Sequence, residues 1–129
     1  MAKPRAFISF DFDHDQDLRN LLVGQSKNPD SPFELADWSV KAPLTGDWLA
    51  QVRSKIRACN VVIVICGQWT HTATGINLEL KAAQDAGIPY FLLWGRANAD
   101  CKKPNAASWN DKVYRWTWDN LKALIAGAR

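Results

Sequence analysis

The sequence has no long apolar run, no metal-binding motif and few histidines or cysteines, and each absence excludes a class of protein. No stretch of 18 apolar residues is present, so no membrane-spanning helix is expected. Residues Met1–Arg5 lack the apolar stretch of a signal peptide, and we therefore expect a cytoplasmic protein without a membrane partner. The two histidines stand alone and the three cysteines show no C-x-x-C spacing, so neither a metal site nor a disulfide framework is predicted.

What the chain does contain is typical of one globular domain. Its 129 residues are 47% apolar and 22% charged, without low-complexity segments, and residues 1–129 are interpreted as a single domain. The formal net charge is only +3 and the basic residues are scattered, so no nucleic-acid partner is expected. Cys59 falls at the end of a predicted helix and Cys66 in a predicted strand. We interpret both as small core residues of a protein in a reducing compartment.

Strand and helix patterns alternate along the chain. Short apolar runs bounded by turn residues predict five strands, which are Ala6–Phe10, Phe33–Trp38, Val61–Cys66, Tyr90–Trp94 and Val113–Trp116. Helical spacing predicts four helices, whose inward residues are Leu18, Leu21 and Leu22, then Trp48, Val52 and Ile56, then Ile76, Leu80 and Ala83, and finally Leu121, Leu124 and Ile125. The alternation predicts an α/β fold: a flavodoxin-like, doubly wound parallel sheet in the order 2-1-3-4-5 with helices on both faces.

Glu79 is the residue most at odds with its surroundings. It lies in the third predicted helix and falls within the apolar stripe of that helix. The solvated face of the same helix is expected to carry Asn77, Lys81, Gln84 and Asp85. A carboxylate on the interior side of a helix is costly unless it has a partner or a function. Two interpretations stay open: a structural ion pair with a lysine or arginine, or a role in chemistry.

The predicted fold places a ligand crevice beyond the carboxyl ends of strands 1 and 3. The loops at this edge are residues 11–14 and residues 67–71, and residues 38–46 can fold over them. Glu79 lies near the start of the helix that follows strand 3, so it would face this crevice. Burial would raise its pKa and the helix N-terminus would lower it.

Several short motifs, in this order, resemble TIR domains. Phe7–Phe10 is similar to the F-I-S-Y of their first strand, and Trp69-Thr70, Asn77–Leu80 and Ala86–Pro89 are similar to the stretch around the catalytic glutamate of TIR NAD hydrolases. The resemblance extends from Arg5 to about Trp94 and is greatest to the TIR-like ThsB proteins of bacterial Thoeris anti-phage systems. Two departures stand out. Gly75 occupies the position of the family's tryptophan, and Trp38–Lys41 replaces the R-D-x-x-P-G of receptor-type TIR domains.

The resemblance implies cleavage of the nicotinamide–ribose bond of NAD, with NAD as substrate and no further cofactor. Glu79 would be the catalytic carboxylate, Phe10 and Asp11 would lie beside the ligand, and Trp38 and Trp69 would be stacking or lid residues. Hydrolysis would give ADP-ribose and internal capture a cyclic isomer, either of which could act as a signal in anti-phage immunity. Implied partners are the nucleotide, a second copy of the domain, and an effector or trigger protein.

Other interpretations of the same residues also remain open. Asp11-Phe12-Asp13 imitates the D-x-D of haloacid-dehalogenase-type phosphatases, although a later acidic pair for Mg²⁺ is missing. Asp13 or Asp15 can cap the first helix, and for Asp15 and Asp17 a capping and dipole role at the start of that helix is favoured over ligand contact. A nucleoside deoxyribosyltransferase-like enzyme and a TIR-like interaction module without catalysis are further alternatives. A Glu79 locked onto a buried cation would favour the module. The segment Ala97–Asn110 carries no motif.

Overall fold

The sheet brings the ends of distant strands to one edge. The computed structural model describes residues 3–36 and 46–129, and in these residues five parallel strands run in the order β2-β1-β3-β4-β5. Their bounds are Arg5–Ser9 for β1, Glu34–Leu35 for β2, Val61–Cys66 for β3, Tyr90–Trp94 for β4 and Val113–Arg115 for β5. The predicted fold and strand order are therefore confirmed. Phe10 and Trp116 follow their strands directly, and Trp38 lies outside the described residues.

Four α-helices cover the sheet in the described part of the chain, with bounds Gln16–Ser26 for α1, Gly46–Arg57 for α2, Thr74–Ala86 for α3 and Trp118–Ile125 for α4. The core has two layers because side chains alternate along each strand. One layer contains the buried residues of α2 and α3, and the other those of α1 and α4. The residues predicted to face inward are buried, with one exception. Leu21 is 55% exposed, and the buried residues of α1 are Leu18 and Leu22.

The buried strand β3 and the end of α3 follow directly from their sequences. All six residues of Val61–Cys66 are buried, as their apolar, mostly β-branched character predicts for a central parallel strand. Gly87 ends α3 in the left-handed conformation at φ 70°, and Ile88 N donates to Ala83 O over 2.9 Å. Cys59 and Cys66 are buried free thiols, and burial raises the pKa of Cys66 to about 12.

The connection between β4 and β5, residues 95–112, contains no helix and is held by polar side chains instead. The Lys103 ammonium donates to the carbonyls of Ser108, Trp109 and Asp111 at 2.8, 3.1 and 2.9 Å. Trp109, within this loop, is 92% exposed. One ammonium therefore holds together the backbone of residues 108–111 in this loop.

The same loop corrects the prediction of a solvated face on α3. Asn77 Oδ1 accepts from Ala106 N over 2.7 Å, and Gln84 Nε2 donates to Ala106 O over 2.9 Å. These two polar side chains bind the β4–β5 loop, whereas Lys81 and Asp85 on the same helix are exposed as expected. Among the described residues, none of the helices combines the length and apolar character that crossing a membrane requires.

Candidate active site

Glu79 reaches from the second turn of α3 to the end of β1. The Ser9 hydroxyl donates to Glu79 Oε1 over 2.7 Å. Ser9 is fully buried, whereas Glu79 is half-buried and keeps some solvent-accessible surface. Because Ile76, Leu80 and Ala83 are buried against the sheet, the glutamate between them is carried to the strand rather than to bulk water.

The electrostatic environment of Glu79 is unusual for a carboxyl group. Burial among protein atoms raises the pKa of Glu79 to about 8, and the Ser9 hydrogen bond lowers it by less than burial raises it. In residues 3–36 and 46–129, no lysine or arginine forms an ion pair with Glu79. Within that part of the chain, the structural ion pair considered for this glutamate is not found. The residue as a whole keeps some exposed surface, but its carboxyl group is surrounded by protein atoms.

The loops after β1 and β3 meet, as the fold prediction requires. Asp11 Oδ2 lies 2.7 Å from His14 Nδ1, and Asp11 Oδ1 accepts from Asp13 N over 3.0 Å. The His14 ring stacks on the Trp69 ring with centroids 5.5 Å apart and 29° between the planes. Asp11 is buried and Trp69 is 54% exposed. His14, which the sequence suggested was isolated, therefore joins the two loops.

Phe10 is not brought beside Glu79. Its side chain belongs to the core layer of α1 and α4, and its ring lies 4.9 Å from that of Phe12. Ser9, its neighbour, reaches Glu79 on the opposite face of the sheet. Strand residues alternate between faces, so Phe10 and Glu79 point to opposite sides. Trp38, a further aromatic residue expected at the ligand, lies outside the described residues.

Arg96, the second residue after β4, also lies at this edge of the sheet and was not predicted from the sequence. It donates to Asp15 Oδ1 over 3.0 Å, to both oxygens of Asp17 over 2.9 and 3.0 Å, and to His14 O over 3.1 Å. Asp15 stands at the N-cap position of α1 but forms no side-chain cap, so the expected capping role is wrong for it. The available signal was one arginine following a strand at the edge that carries four aspartates.

Asp15 is packed tightly as well as paired. It is 1% exposed, and burial raises its pKa although Arg96 opposes the shift. Its Oδ2 has no hydrogen-bond partner in the described residues. Gly67, after β3, fits against it, because a Cβ at that position would lie 2.1 Å from Asp15 Oδ2. Arg96, Asp15 and Gly67 thus lock the ends of β4, β1 and β3 together.

Among the described residues, no group of three histidine, cysteine, aspartate or glutamate side chains is arranged to hold a metal ion. The chemical groups at this edge are instead the Glu79 carboxyl with its hydroxyl partner, the Asp11–His14 pair, and the exposed indole of Trp69. A carboxylate near a crevice can stabilise a developing positive charge, and an exposed indole can stack on a planar ring.

Comparison with known proteins identifies the family. The family model described as "Thoeris protein ThsB, TIR-like domain" matches residues 7–100. Among solved structures, the chain is similar to one described as "Crystal Structure of a prokaryotic SEFIR domain", with a TM-score of 0.59 and 17% identity over 96% of this chain and 91% of that chain. At this identity, the likeness shows the fold alone. A search of curated proteins finds no match. Because the family match covers most of the chain, the protein belongs to the TIR-like domain family of the Thoeris protein ThsB.

Proposed function

We propose that this domain cleaves the nicotinamide–ribose bond of NAD and produces an ADP-ribose-type signalling nucleotide, linear or cyclic, in prokaryotic anti-phage immunity. The observation that carries the proposal is Glu79. Its carboxyl is buried among protein atoms, accepts a hydrogen bond from the Ser9 hydroxyl and forms no ion pair in the described part of the chain. A glutamate kept for structure would be expected to have a cation beside it.

The chemistry requires one carboxylate and no proton donor. The bond between the ribose C1′ and the nicotinamide nitrogen breaks with both electrons passing to nitrogen, so nicotinamide leaves as a neutral base. The ribose becomes an oxocarbenium-like cation, which the ionised Glu79 stabilises. Water then attacks C1′ and loses a proton, giving ADP-ribose; capture by an adenine nitrogen of the same molecule gives a cyclic isomer.

The raised pKa of Glu79 fits a site that binds a cation. With a pKa of about 8, much of Glu79 is protonated at neutral pH in the free protein. The nicotinamide ring of NAD carries a positive charge, and a positive charge nearby lowers the pKa of a carboxyl group. Substrate binding would therefore ionise Glu79 at the moment that the carboxylate is needed. Asp11 and Trp69 are proposed to border the ribose and a planar ring of the ligand.

The test is nicotinamide release by the purified chain at high protein concentration, with and without lysate from phage-infected cells. Glu79→Gln is the inactivating variant. Glu34→Gln is the matched control, because Glu34 is the only other glutamate and lies exposed on β2. Release that Glu79→Gln abolishes and Glu34→Gln retains supports the proposal. Equal release from both variants, or none under either condition, would contradict it. The mass of the co-product separates hydrolysis from cyclisation.

A second candidate function is a TIR-like interaction module without catalysis. The observation that favours it is Trp109, whose side chain is 92% exposed and whose backbone carbonyl accepts from Lys103. A large aromatic side chain displayed on an ordered loop is typical of interaction surfaces. Absence of nicotinamide release, together with loss of self-association or partner binding in Trp109→Ala, would favour this function over the enzyme.

A further inference from the structure

A cleft lies away from Glu79, at the carboxyl ends of β4 and β5. It has a volume of about 460 Å³ and is bordered by Trp94, the last residue of β4, with Gly95, by Arg115, the last residue of β5, with Trp116, and by α1. This volume is within the range of small-molecule sites. None of the residues assigned to the NAD crevice lines it. The Arg96 side chain turns away from it towards Asp15 and Asp17.

The aromatic walls of this cleft are fixed by hydrogen bonds. Trp94 Nε1 donates to Arg96 O over 2.8 Å, and Trp116 Nε1 donates to Gln25 Oε1 over 2.9 Å. Each indole therefore has its polar edge satisfied within the protein. Indole rings held in one orientation offer stacking surfaces at little cost in conformational entropy.

The polar groups of the cleft favour an anion. Arg115 is the only charged residue among those that line it. Within the described residues, the Arg115 guanidinium has no hydrogen-bond or ion-pair partner, and the same holds for the amide nitrogen of Gln25. A guanidinium presents a planar fork of N–H donors that matches phosphate and carboxylate groups. An unpaired fork beside two indoles is complementary to a ligand that combines a ring with a negative charge.

We infer that this cleft binds a planar aromatic ring carrying an anionic group, of the size of a nucleoside monophosphate. The ring would lie over the end of the sheet, where the cleft reaches Trp94 on the side of α2 and α3 and Trp116 on the side of α1 and α4, and the anion would accept from Arg115 and from the Gln25 amide. This site is separate from the proposed NAD crevice and does not depend on whether Glu79 is catalytic.

The experiment is a titration of ¹⁵N-labelled protein followed through its tryptophan indole N–H signals, assigned with single Trp→Phe variants. The probes are AMP and indole-3-acetate, which pair a ring with a phosphate or a carboxylate, and adenosine and inorganic phosphate, which supply only one of the two features. We expect saturable shifts of the Trp94 and Trp116 signals with AMP or indole-3-acetate. Adenosine and inorganic phosphate are expected to bind at least about tenfold more weakly.

Arg115→Met should weaken binding of the anionic probe by about tenfold or more, because a charged hydrogen bond is lost. Arg115→Lys keeps the charge without the fork and should be intermediate. Arg57→Met, on the exposed face of α2, is the matched control and should bind normally. The dispersion of the amide spectrum verifies that each variant is folded. Unchanged binding in both Arg115 variants, shifts confined to Trp69, or no shift with either anionic probe at millimolar concentration would overturn the inference.

Discussion

The Ser9 hydroxyl donates to the Glu79 carboxyl over 2.7 Å, joining two residues that are 70 positions apart in the chain. A donor of this kind stabilises the ionised form of a carboxyl group, and it acts against the burial that raises the pKa of Glu79 to about 8. Ser9 is thus placed to set the pH range in which the carboxylate exists.

If Glu79 acts as a carboxylate, kcat/KM for nicotinamide release should rise with pH and level off above about 8, since this parameter reports the free enzyme. Ser9→Ala removes the hydrogen bond and should move the midpoint to higher pH by about half to one unit, the equivalent of roughly 1 kcal/mol. The pH profiles of both proteins provide the measurement. Ser26→Ala on α1 is the control, and a midpoint that Ser9→Ala leaves unmoved would contradict the assignment.

The stability of the protein should also report on Glu79. Its folded-state pKa of about 8 lies above the ordinary value of 4.5, so the folded protein binds this proton more tightly than the unfolded chain does. The associated stability is complete below about pH 4.5 and is lost as the pH rises through 8. Glu79→Gln, which stays neutral, should exceed the original protein in free energy of unfolding by about 1–3 kcal/mol at pH 9 and differ little at pH 5.

Urea denaturation at the two pH values provides this measurement. Glu34→Gln, which removes an exposed carboxylate, should show no such dependence on pH. A Glu79→Gln variant with the same advantage at pH 5 as at pH 9 would show that packing, rather than ionisation, causes the difference.

Arg96 should be important for stability because it neutralises Asp15, which is 1% exposed. Arg96→Met leaves that carboxylate without a cation and should lower the free energy of unfolding by about 2–4 kcal/mol. Adding Asp15→Asn removes the unpaired carboxylate. The double variant should therefore recover part of the lost free energy of unfolding. Denaturant titrations of the two single variants and the double variant complete the cycle; additive losses would show that the two residues act independently.

Two glycines should respond in opposite ways to the same substitution. A Cβ on Gly67 would lie 2.1 Å from Asp15 Oδ2, so Gly67→Ala should cost about 1–3 kcal/mol by overpacking. A Cβ on Gly24, within α1, would meet no atom within 4 Å, so Gly24→Ala should add about 0.5–1 kcal/mol by removing backbone freedom from the unfolded chain. Thermal unfolding of both variants distinguishes the two effects, and a Gly67→Ala protein that melts unchanged would refute the close fit.

The elements that could be predicted from sequence are those whose signal is local. Val61–Cys66 is apolar on both faces, and Gly87 with Pro89 ends α3, so strand and helix bounds there required no tertiary information. The opposite orientation of Phe10 and Glu79 was also accessible, because strand alternation places Phe10 away from Ser9. The contact of Phe10 with a ligand stays a prediction.

The remaining features depend on partners that sequence spacing does not reveal. Asp15 is of a residue type that commonly caps helices and stands at the N-cap position of α1. Its side chain nevertheless binds Arg96, which is 81 residues away in the chain. The sequence predicts that Asn77 lies on the solvated face of α3. Nothing in Ala97–Asn110 indicates that this loop returns to α3 and brings the backbone of Ala106 to Asn77. Polar side chains carry little periodic signal when the backbone that they bind belongs to an irregular segment.

The Lys103 ammonium lies among three backbone carbonyl oxygens, the kind of ligand that coordinates a potassium ion in channel filters. Here the cation is part of the chain, so its local concentration is fixed and the loop does not have to recruit an ion from its surroundings. The position of Trp109 is therefore independent of the supply of any ion. A segment with no helix and no strand thereby keeps a fixed backbone conformation, which a bound metal ion would otherwise provide.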